Sequence, residues 1–387
     1  MVRLLAPMTG RPPLRVGLVC DLLEERWPSM DLVADELLRA LPLVASPRVD
    51  PVRLRTTMPR WPTQVARALR LRSAVNANRY LDRHWRYPRW IRRHAAGCDA
   101  YHVVDHTYAH LVHELPATRT IVTCHDIDAF RALVEPEREP RSRLFRRMTA
   151  RVLDGLQRAA RVTCDSAATR DALVAHGLRT EGLVVVPLGV HPAFTPATTA
   201  PADAGTEVTL LHVGSTIPRK RIDVLLRIFA GVRAQFPAAR LVRVGGAFTG
   251  EQAALAHALG LDGAITVMPF VSHAALADLY RRAALVLLPS EREGFGLPVA
   301  EAMACGTPVV ASDLPVLREV GAVAASYAAV GNVGEWVDAV CALLTEREKS
   351  LDTWRRRTAA ATAQAAGFTW ERCAARMAAI YAEVAGG

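Results

Sequence analysis

Short apolar runs alternate with longer amphipathic stretches along the chain. The apolar runs, such as "RVGLVC" and "ALVLLPS", are rich in Val and Leu and are bounded by turn residues, which is typical of buried parallel strands. The amphipathic stretches between them are typical of helices that pack one face on a sheet. This alternation predicts α/β layers built on parallel strands.

The strand candidates fall into two groups on either side of a linker-like stretch. The first group comprises residues 15–20, 100–104, 120–124, 161–166 and 182–187, and the second comprises residues 208–214, 239–246, 264–270, 284–290 and 308–312. The stretch between them, "LGVHPAFTPATTAPADAGTE", is rich in Pro, Ala, Thr and Gly. We therefore expect two doubly wound domains at residues 1–190 and 207–368, a linker at 191–206 and a cleft between the domains.

A glycine-containing turn carries the first candidate chemistry, in the segment "SEREGFGLPVAEAMACGTPVV". Glu293 follows the strand candidate at 284–290, at the carboxyl end where α/β sheets bind ligands. Gly294 and Gly296 allow the backbone of this loop to approach a ligand closely. The loop is therefore expected to form part of a binding site.

A short helix is expected next, because Pro298 suits a first helical position and Gly306 suits the residue after a helix end. Glu301 then lies in the opening turn of this helix. A helix N-terminus preceded by glycines stabilises phosphate through free backbone N–H groups and the helix dipole, whereas a carboxylate accepts hydrogen bonds from sugar hydroxyls. The two glutamates are thus expected to border one ligand-sized space.

Composition limits the class of protein. With 387 residues, 51% of them hydrophobic, the chain can form two domains with separate cores, and disorder is excluded. Seven cysteines without a C-x-x-C pair argue for reduced thiols and against a disulfide framework or a zinc ribbon. No apolar run reaches the roughly 18 residues of a membrane span, and the start of the sequence does not read as a signal peptide. We expect a cytoplasmic protein.

The positive charge is concentrated in one stretch. Residues 51–100 carry twelve arginines against Asp82 and Asp99, which equals the net charge of +10 of the whole chain. Arginines alternate there with Trp85, Tyr87 and Trp90, a pattern that suits an acidic acceptor or peripheral association with the anionic inner face of a membrane. Solvated arginines on ordinary surface helices are the simpler alternative. Nucleic acid is not expected, because no nucleic-acid-binding module is present.

Several segments together resemble one enzyme family. "EGFGLPVAEAMACGTPVVAS" resembles the Glu-x7-Glu motif of the retaining GT-B glycosyltransferases of family four, also called glycosyl transferases group 1. "HVGSTIPRKRIDVLL" resembles their phosphate-binding strand and loop, "MPFVSHAALADLYRRAALVLLPS" their nucleotide-facing strand and helix, and "VVVPLGVHPAF" their interdomain segment. The resemblance covers most of residues 160–387 and is looser before them, in "VTCHDIDAF" and "RVTCDSAATRDAL".

The resemblance implies an α/β protein of GT-B fold, with two doubly wound Rossmann-like domains facing across a cleft. "FTWERCAARMAAIYAEV" resembles the final helix of the family, which implies that residues 369–387 cross back to the N-terminal domain. The implied reaction is transfer of a hexose from a nucleoside diphosphate sugar to an acceptor, with retention at the anomeric carbon. Closure of the two domains would exclude water, which would otherwise hydrolyse the glycosyl cation-like centre.

The resemblance also implies roles for individual residues. Glu293 accepts hydrogen bonds from the donor sugar, Arg219 and Lys220 neutralise the departing diphosphate, and His125 supports the sugar from the N-terminal domain. Glu301 accepts from the ribose hydroxyls. The remaining donor-binding residues are implied to be Gly294, Phe295, Gly296 and Leu297, which present backbone amides to the sugar and α-phosphate, together with Gly214, Ser215 and Phe270.

Substrate identity stays open within this class. GDP-mannose and UDP-glucose are the favoured donors, with UDP-N-acetylglucosamine behind them. The acceptor is a saccharide, a lipid-linked saccharide in polysaccharide biosynthesis or a small molecule, and neither a tightly bound cofactor nor a metal is expected. Two alternatives remain, namely a nucleotide-sugar epimerase or phosphorylase on the same fold and a non-catalytic protein that binds an anionic surface.

Two departures from the family pattern affect the phosphate contacts. The first strand-to-helix region, "EERWPSMDLVADELL", lacks the glycine pair of many relatives. Ser215 stands where many relatives have an arginine, so Arg219 and Lys220 are expected to meet the phosphates without its help.

Two further polar patterns lie in the first half. Asp126 and Asp128 form a D-x-D, which we do not interpret as a metal site, because GT-B enzymes supply cations from side chains and helix ends. His106, His110 and His113 have the i, i+4, i+7 spacing of one helix face. Such a face is compatible with an acceptor-binding surface, with a metal site or with ordinary packing.

Overall fold

The computed structural model describes residues 12–25, 28–57, 78–197 and 208–386. Residues 198–206 of the expected linker and residues 58–77 of the basic stretch lie outside the described residues. The chain forms two compact units. The first comprises Met1–Asp165, Arg170–Val186 and Trp370–Gly387, and the second comprises Ser166–Thr169 and Pro187–Thr369.

The first unit contains a six-stranded parallel sheet. Its strands are β1 (Leu14–Val19), β2 (Val49–Leu54), β3 (Ala100–Val103), β4 (Thr120–Cys124), β5 (Arg161–Cys164) and β6 (Leu183–Val185). They are arranged in the order β2-β1-β3-β4-β5-β6. The strand order reverses between β1 and β3, and ligands of doubly wound sheets bind outside the carboxyl ends of the strands at such a reversal.

The second unit repeats this architecture. Its strands are β7 (Thr209–Val213), β8 (Arg240–Val244), β9 (Ile265–Met268), β10 (Leu285–Leu288), β11 (Val309–Ser312) and β12 (Ser326–Ala328). All are parallel, in the order β12-β11-β10-β7-β8-β9. Here the order reverses between β7 and β10, so the loops that follow these two strands lie at the expected binding position.

Helices connect the strands and supply the rest of each core. Those of the first unit are Pro28–Ala40, Tyr87–His94, Arg131–Val134, Arg143–Arg158 and Trp370–Gly386, and Ala167–Ala175 begins within the short segment assigned to the second unit. Those of the second unit are Ile222–Gln235, Gly250–Ala258, His273–Arg282, Leu297–Ala304, Pro315–Gly321, Val333–Lys349 and Leu351–Ala365. Shorter 3₁₀ segments include His106–Glu114 and Pro218–Lys220, and Asp82–Arg86 is a π-helical turn.

The helix Trp370–Gly386 packs in the first unit although it follows the second unit in sequence. It lies against the helix Pro28–Ala40 and buries Trp370, Met377 and Tyr381. The hydroxyl of Tyr381 is 2.7 Å from Nδ1 of the buried His102. This helix is thus an integral part of the first unit's core.

All ten predicted strands are confirmed, with ends that differ by at most two residues. The sequence pattern missed β2 and β12. β2 contains Pro51 and polar Asp50 and Arg53, because it is an edge strand with a largely exposed middle. β12 has only three residues, Ser-Tyr-Ala, and lacks the apolar run that marks the equally short β6.

Candidate active site

The loops after β7 and β10 are joined by one backbone and one side-chain hydrogen bond at the point where the strand order reverses. The N–H of Glu291 donates to the carbonyl of Arg219 at 2.8 Å, and Nη1 of Arg219 donates to the carbonyl of Arg292 at 2.9 Å. Arg219 and Lys220 belong to the 3₁₀ turn Pro218–Lys220. The structure therefore brings these two residues next to Glu293, as the family resemblance implied.

Glu293 lies between the two cations. Its Oε1 is 2.5 Å from Nζ of Lys220 and its Oε2 is 3.3 Å from Nη1 of Arg219. The carboxylate side chain is only 7% exposed. Burial alone would raise its pKa, but the charges of Lys220 and Arg219 outweigh burial and lower the pKa below 4.5. Glu293 is therefore an ionised acceptor at neutral pH.

The helix Leu297–Ala304 begins directly after this loop. Its N-cap is Gly296, with φ of +98°, and no side chain caps the first turn. A Cβ at Gly296 would lie 2.6 Å from Cδ2 of Leu317, so both the backbone angle and the space require glycine. The first backbone N–H groups of this helix thus have no side-chain acceptor, as in an anion-binding helix N-terminus. Phe295, just before the cap, is buried edge-on against Phe368.

Glu301 is the fifth residue of the helix, in its second turn rather than its opening turn. Its carboxylate is buried, and the hydroxyl of Tyr280 donates to Oε2 at 2.9 Å. Burial raises the pKa of Glu301 to about 7, and the Tyr280 hydrogen bond only partly opposes this shift. Tyr280 was not predicted as a site residue. Its apolar neighbours do predict that it lies on the buried face of its helix.

A buried arginine supports the loops after β7 and β8. Arg243 is fully buried and donates through Nη2 to the carbonyls of Gly214 at 2.9 Å and Gly245 at 3.4 Å. Gly245 has φ of +132°, and a Cβ there would lie 1.9 Å from the carbonyl oxygen of Gly214. Gly214, which the resemblance assigns to the phosphate loop, is therefore held by Arg243 of β8, a residue that was not predicted for the site.

Phe270 follows β9 at the same carboxyl edge of the sheet. Its ring is 60% exposed, which is unusual for a phenylalanine in a chain with well-filled cores. The structure leaves this ring open to a ligand.

His125 follows β4 in the first unit. Its Nδ1 lies 2.6 Å from Oδ2 of Asp165 and its Nε2 lies 2.8 Å from the carbonyl of Val104. Both partners are acceptors, so both ring nitrogens carry hydrogens and the ring is an imidazolium. Burial alone would lower its pKa, but the Asp165 charge and hydrogen bond raise it to about 10. Asp165 was not predicted as a site residue, although Asp165 follows β5 at the same edge of the sheet as His125.

Two aspartates lie where the strand order of the first unit reverses, after β1 and β3. Asp21 and Asp105 are both buried. Burial, followed by the charge and hydrogen bond of Asp105, raises the pKa of Asp21 well above its usual range. Burial would also raise the pKa of Asp105, but His106 and His125 outweigh it and lower that pKa. Asp21 therefore holds its proton more tightly than an exposed aspartate does.

The three histidines at 106, 110 and 113 do not share one helix face, and that prediction is wrong. Residues His106–Glu114 form a 3₁₀ helix, in which three residues complete a turn, so the i, i+4, i+7 spacing does not align. His110 Nε2 lies 2.9 Å from the carbonyl of Arg83, His113 Nε2 lies 3.3 Å from that of Arg151, and His106 faces His125.

Among the described residues, no three His, Cys, Asp or Glu side chains are arranged to hold a metal ion. Asp126 and Asp128 form a local turn, in which Oδ1 of Asp126 accepts from the N–H of Asp128 at 2.9 Å. All seven cysteines are free thiols. No helix in the described parts of the chain is long and apolar enough to cross a bilayer.

Two family models match the sequence, Glycosyl transferases group 1 at residues 199–360 and Glycosyltransferase Family 4 at residues 38–194. The chain belongs to glycosyltransferase family 4. It is 34% identical over 250 residues to the D-inositol 3-phosphate glycosyltransferase of Mycobacterium tuberculosis, an alignment that covers 61% of this chain and 50% of the relative. The chain thus spans about half the length of the curated relatives it matches.

Solved structures show that this family 4 chain has the GT-B fold. Sucrose-phosphate synthase from Thermosynechococcus elongatus superposes with a TM-score of 0.69 at 21% identity, covering 96% of this chain and 98% of that chain. HepE of Anabaena, solved in complex with UDP and glucose, superposes with a TM-score of 0.71 at 17% identity, covering 96% and 99%. The two doubly wound sheets are those of a GT-B protein.

Proposed function

We propose that this family 4 chain transfers a hexose from a nucleoside diphosphate sugar to an acceptor, with retention of anomeric configuration. The observation that carries the proposal is the ion cluster of Glu293, Lys220 and Arg219, which lies where the strand order reverses and beside an uncapped helix N-terminus. Cations beside a helix N-terminus suit a diphosphate, and an adjacent ionised carboxylate suits sugar hydroxyls. Few ligands other than a nucleotide sugar need both in one place.

The diphosphate is the leaving group of the proposed reaction, and its charge grows as the glycosidic bond breaks. An ammonium has three donors, and Lys220 uses one of them on Glu293. The other two, together with the positive charge of Arg219 and the dipole of the helix that follows, are assigned to the departing diphosphate. Ser215 supplies no charge, so in this proposal the leaving group depends on the Arg219–Lys220 pair.

The two glutamates take different parts of the donor. We assign the ionised Glu293 to the sugar hydroxyls near the reacting carbon. Glu301 is assigned to the ribose hydroxyls. The Tyr280 hydroxyl donates to Oε2 of Glu301, so Oε1 of Glu301 is available to accept from the ribose hydroxyls. The exposed ring of Phe270 is assigned to the nucleobase, because aromatic faces stack on bases.

His125 is assigned to the sugar from the first unit. In the structure both of its ring N–H groups donate within the unit, to Asp165 and to the carbonyl of Val104. A sugar hydroxyl would therefore replace Val104 as the acceptor of Nε2–H, while Asp165 keeps the ring cationic. This cation would support negative charge that develops during transfer.

GDP-mannose or UDP-glucose is the proposed donor, and HepE of Anabaena has been solved in complex with UDP-glucose. The acceptor is proposed to be a saccharide, a lipid-linked saccharide or a small molecule, and one curated relative is named for D-inositol 3-phosphate. The arginines of residues 51–100 are proposed to serve the acceptor side, including acceptors at the inner face of a membrane.

The first test is thermal-shift screening of the purified chain against GDP-mannose, UDP-glucose, UDP-N-acetylglucosamine and the bare diphosphates. A ligand that binds only the native state must raise the melting temperature. Stabilisation by one base series supports the proposed donor site and selects the donor. A folded protein that no nucleotide stabilises contradicts it.

The second test is product analysis with the selected donor and a panel of acceptors. Proton NMR of the new glycosidic bond shows whether the donor's anomeric configuration is retained. A product with the opposite configuration contradicts the retaining mechanism, and conversion of the donor sugar without transfer favours an epimerase. Glu293→Gln is expected to lower turnover by about 100-fold or more, because the neutral amide accepts less strongly from the sugar hydroxyls and no longer pairs with Lys220.

A further inference from the structure

A pocket of about 300 Å³ lies in the first unit, next to the loops that follow β1 and β2. Thr56 and Thr57, which follow β2, line one side, and the helix Tyr87–His94 with the preceding π-helical turn lines the other. All strands of this sheet are parallel, so the pocket lies at the same carboxyl edge as His125. It is therefore on the ligand-binding edge of the first unit.

Positive charge dominates this pocket. Arg86, Arg89 and Arg93 line it, and Asp82 is the one carboxylate among its lining residues, bonded to Arg86 at 2.5 Å. Arg89 and Arg93 contact no carboxylate within the described parts of the chain. The pocket therefore has two surplus positive charges.

Other arginines around the pocket are neutralised. Arg83 lies 3.4 Å from Glu25, and Arg92, on the same helix as Arg93, pairs with Glu114. The charge that is left at the pocket is therefore that of Arg89 and Arg93. Two such guanidinium groups at the border of one pocket favour an anionic ligand.

The pocket is also held in shape before any ligand binds. The hydroxyl of Tyr87, in its floor, donates to the carbonyls of Cys20 at 2.6 Å and Leu54 at 3.0 Å. Arg89 lies 3.9 Å over the ring of Trp85 and donates through Nη1 to the Trp85 carbonyl at 2.9 Å. Its other guanidinium N–H groups remain for a ligand, and less entropy is lost when a fixed side chain binds.

We propose that this pocket binds a phosphate group of the acceptor. Guanidinium groups bind phosphate oxygens in a bidentate manner, and the hydroxyls of Thr56 and Thr57 add neutral donors. The inference rests on the proposed transferase function, and it defines the acceptor class as phosphate-bearing. The phosphate belongs either to a soluble sugar or polyol phosphate or to a lipid headgroup, and both present the same group to Arg89 and Arg93.

The test measures binding of inorganic phosphate to the whole chain by isothermal titration calorimetry, at constant ionic strength and with the stabilising nucleoside diphosphate present to occupy the donor site. The double variant Arg89→Ala/Arg93→Ala is expected to raise the phosphate Kd about tenfold or more, because two charge-assisted contacts are lost. Arg146→Ala/Arg147→Ala is the matched control, since it removes two exposed arginines of the same unit that do not line the pocket. Its expected Kd is within about twofold of wild type.

A phosphate Kd that is equal in the wild type and in Arg89→Ala/Arg93→Ala overturns the proposal. If that variant does not fold, Arg89→Lys/Arg93→Lys replaces it, because it keeps the charge but loses the bidentate fork and is expected to weaken phosphate binding to a smaller extent. Nucleotide stabilisation is measured separately, so failure of the donor site and failure of the phosphate pocket are distinguishable.

Flotation with phosphatidylcholine vesicles, with and without phosphatidylglycerol, identifies the source of the phosphate. Binding to the anionic vesicles that Arg89→Ala/Arg93→Ala loses and the control variant keeps assigns a lipid headgroup. Phosphate binding without vesicle binding assigns a soluble acceptor. Equal loss of vesicle binding in both double variants, without a difference in phosphate Kd, means a general charge effect and contradicts the pocket.

Discussion

At the scale of single residues, the main feature is that Lys220 and Glu293 come from different loops and neutralise each other. Their pairing holds the buried carboxylate ionised and keeps the ammonium at the position proposed for the diphosphate. Removing either partner leaves the other charge buried with less compensation. Binding and stability at this site are therefore coupled.

Lys220→Ala is expected to lower kcat/KM by about 100-fold to 1000-fold, because it removes a cation beside the leaving diphosphate. Steady-state rates of product formation measure the effect. Lys349→Ala is the matched control, since Lys349 is the other lysine of the chain and is exposed at the end of a helix. A folded Lys220→Ala variant with wild-type kcat/KM would remove Lys220 from the active site.

Glu301→Gln is expected to change the pH dependence of stability. The pKa of Glu301 is about 7 in the folded state against 4.5 as its ordinary value, so the folded state holds this proton more tightly than the unfolded state. The wild type therefore loses stability as pH rises from 4.5 to 7, by on the order of 3 kcal/mol once Glu301 is fully ionised. Glutamine cannot ionise and still accepts from Tyr280, so the variant avoids this loss.

Urea unfolding at a series of pH values measures the difference. We expect the variant and wild type to be nearly equally stable near pH 4 and the variant to be more stable at pH 8. Parallel pH profiles for the two proteins would contradict the raised pKa. Nucleotide affinity is expected to fall in the same variant, because Gln is a weaker acceptor for ribose hydroxyls.

The family resemblance implied that Glu293 and Lys220 serve one site in the second unit, and strand ends of a parallel sheet share one edge. Glu293 and Lys220 follow different strands of that sheet and do meet. The hydrogen-bond partner of His125 was not predicted. Asp165 also follows a strand at one edge of its sheet, but the spacing of residues in the sequence does not indicate how an imidazole ring is oriented. The other acceptor of His125 is the backbone carbonyl of Val104, and sequence patterns do not indicate a backbone contact of this kind.

At the scale of elements, two loops of the second unit approach each other closely at the carboxyl edge of the sheet. The carbonyl of Gly214, after β7, occupies the space where a side chain of Gly245, after β8, would begin. Arg243 bonds to both carbonyls and holds the loops together. This contact explains a glycine that the phosphate-binding resemblance did not include.

Gly245→Ala is expected to destabilise the second unit by about 2 kcal/mol or more, because its φ is +132° and its Cβ would clash with a backbone carbonyl. Gly250→Ala is the control, since nothing lies within 4 Å of a Cβ there and the residue is helical. Chemical denaturation of both variants measures the change. If Gly245→Ala and Gly250→Ala are equally stable, the loops after β7 and β8 can move apart without a cost in free energy of unfolding.

Element type was predictable where the chain supplies enough residues of one period. The ten strands with continuous apolar runs were found, whereas the three-residue β12 and the polar edge strand β2 were not. The 3₁₀ helix His106–Glu114 was not predicted either. Its pitch depends on tertiary packing against the helix Arg143–Arg158, where Gly155 leaves room for the backbone of Ala109.

At the scale of the whole molecule, sequence order and structural order differ. The helix Trp370–Gly386 follows the second unit in sequence but buries several large side chains in the first. Each fully buried large apolar side chain contributes about 1.5–3 kcal/mol. Several such residues therefore contribute as much as the roughly 5–15 kcal/mol of net stability typical of a domain.

Truncation after Thr369 is expected to unfold the first unit and to leave the second unit able to bind nucleotide. Limited proteolysis measures the loss of the first unit, and the thermal shift with the selected nucleotide measures the second. Tyr381→Phe is a milder companion variant, expected to cost about 1–3 kcal/mol because it leaves Nδ1 of the buried His102 without its partner. A truncated chain with a protease-resistant first unit would contradict this account.

The position of the helix Trp370–Gly386 also sets the order in which the protein becomes functional during synthesis. The six strands of the first unit precede the second unit in sequence, but the helix Trp370–Gly386 leaves the ribosome only after the strands of the second unit have been made. Synthesis that stops before Trp370 therefore leaves the first unit without a helix of its core. Under the proposed function, such a chain would keep the donor-binding residues of the second unit without a complete acceptor unit, so it would not transfer sugar.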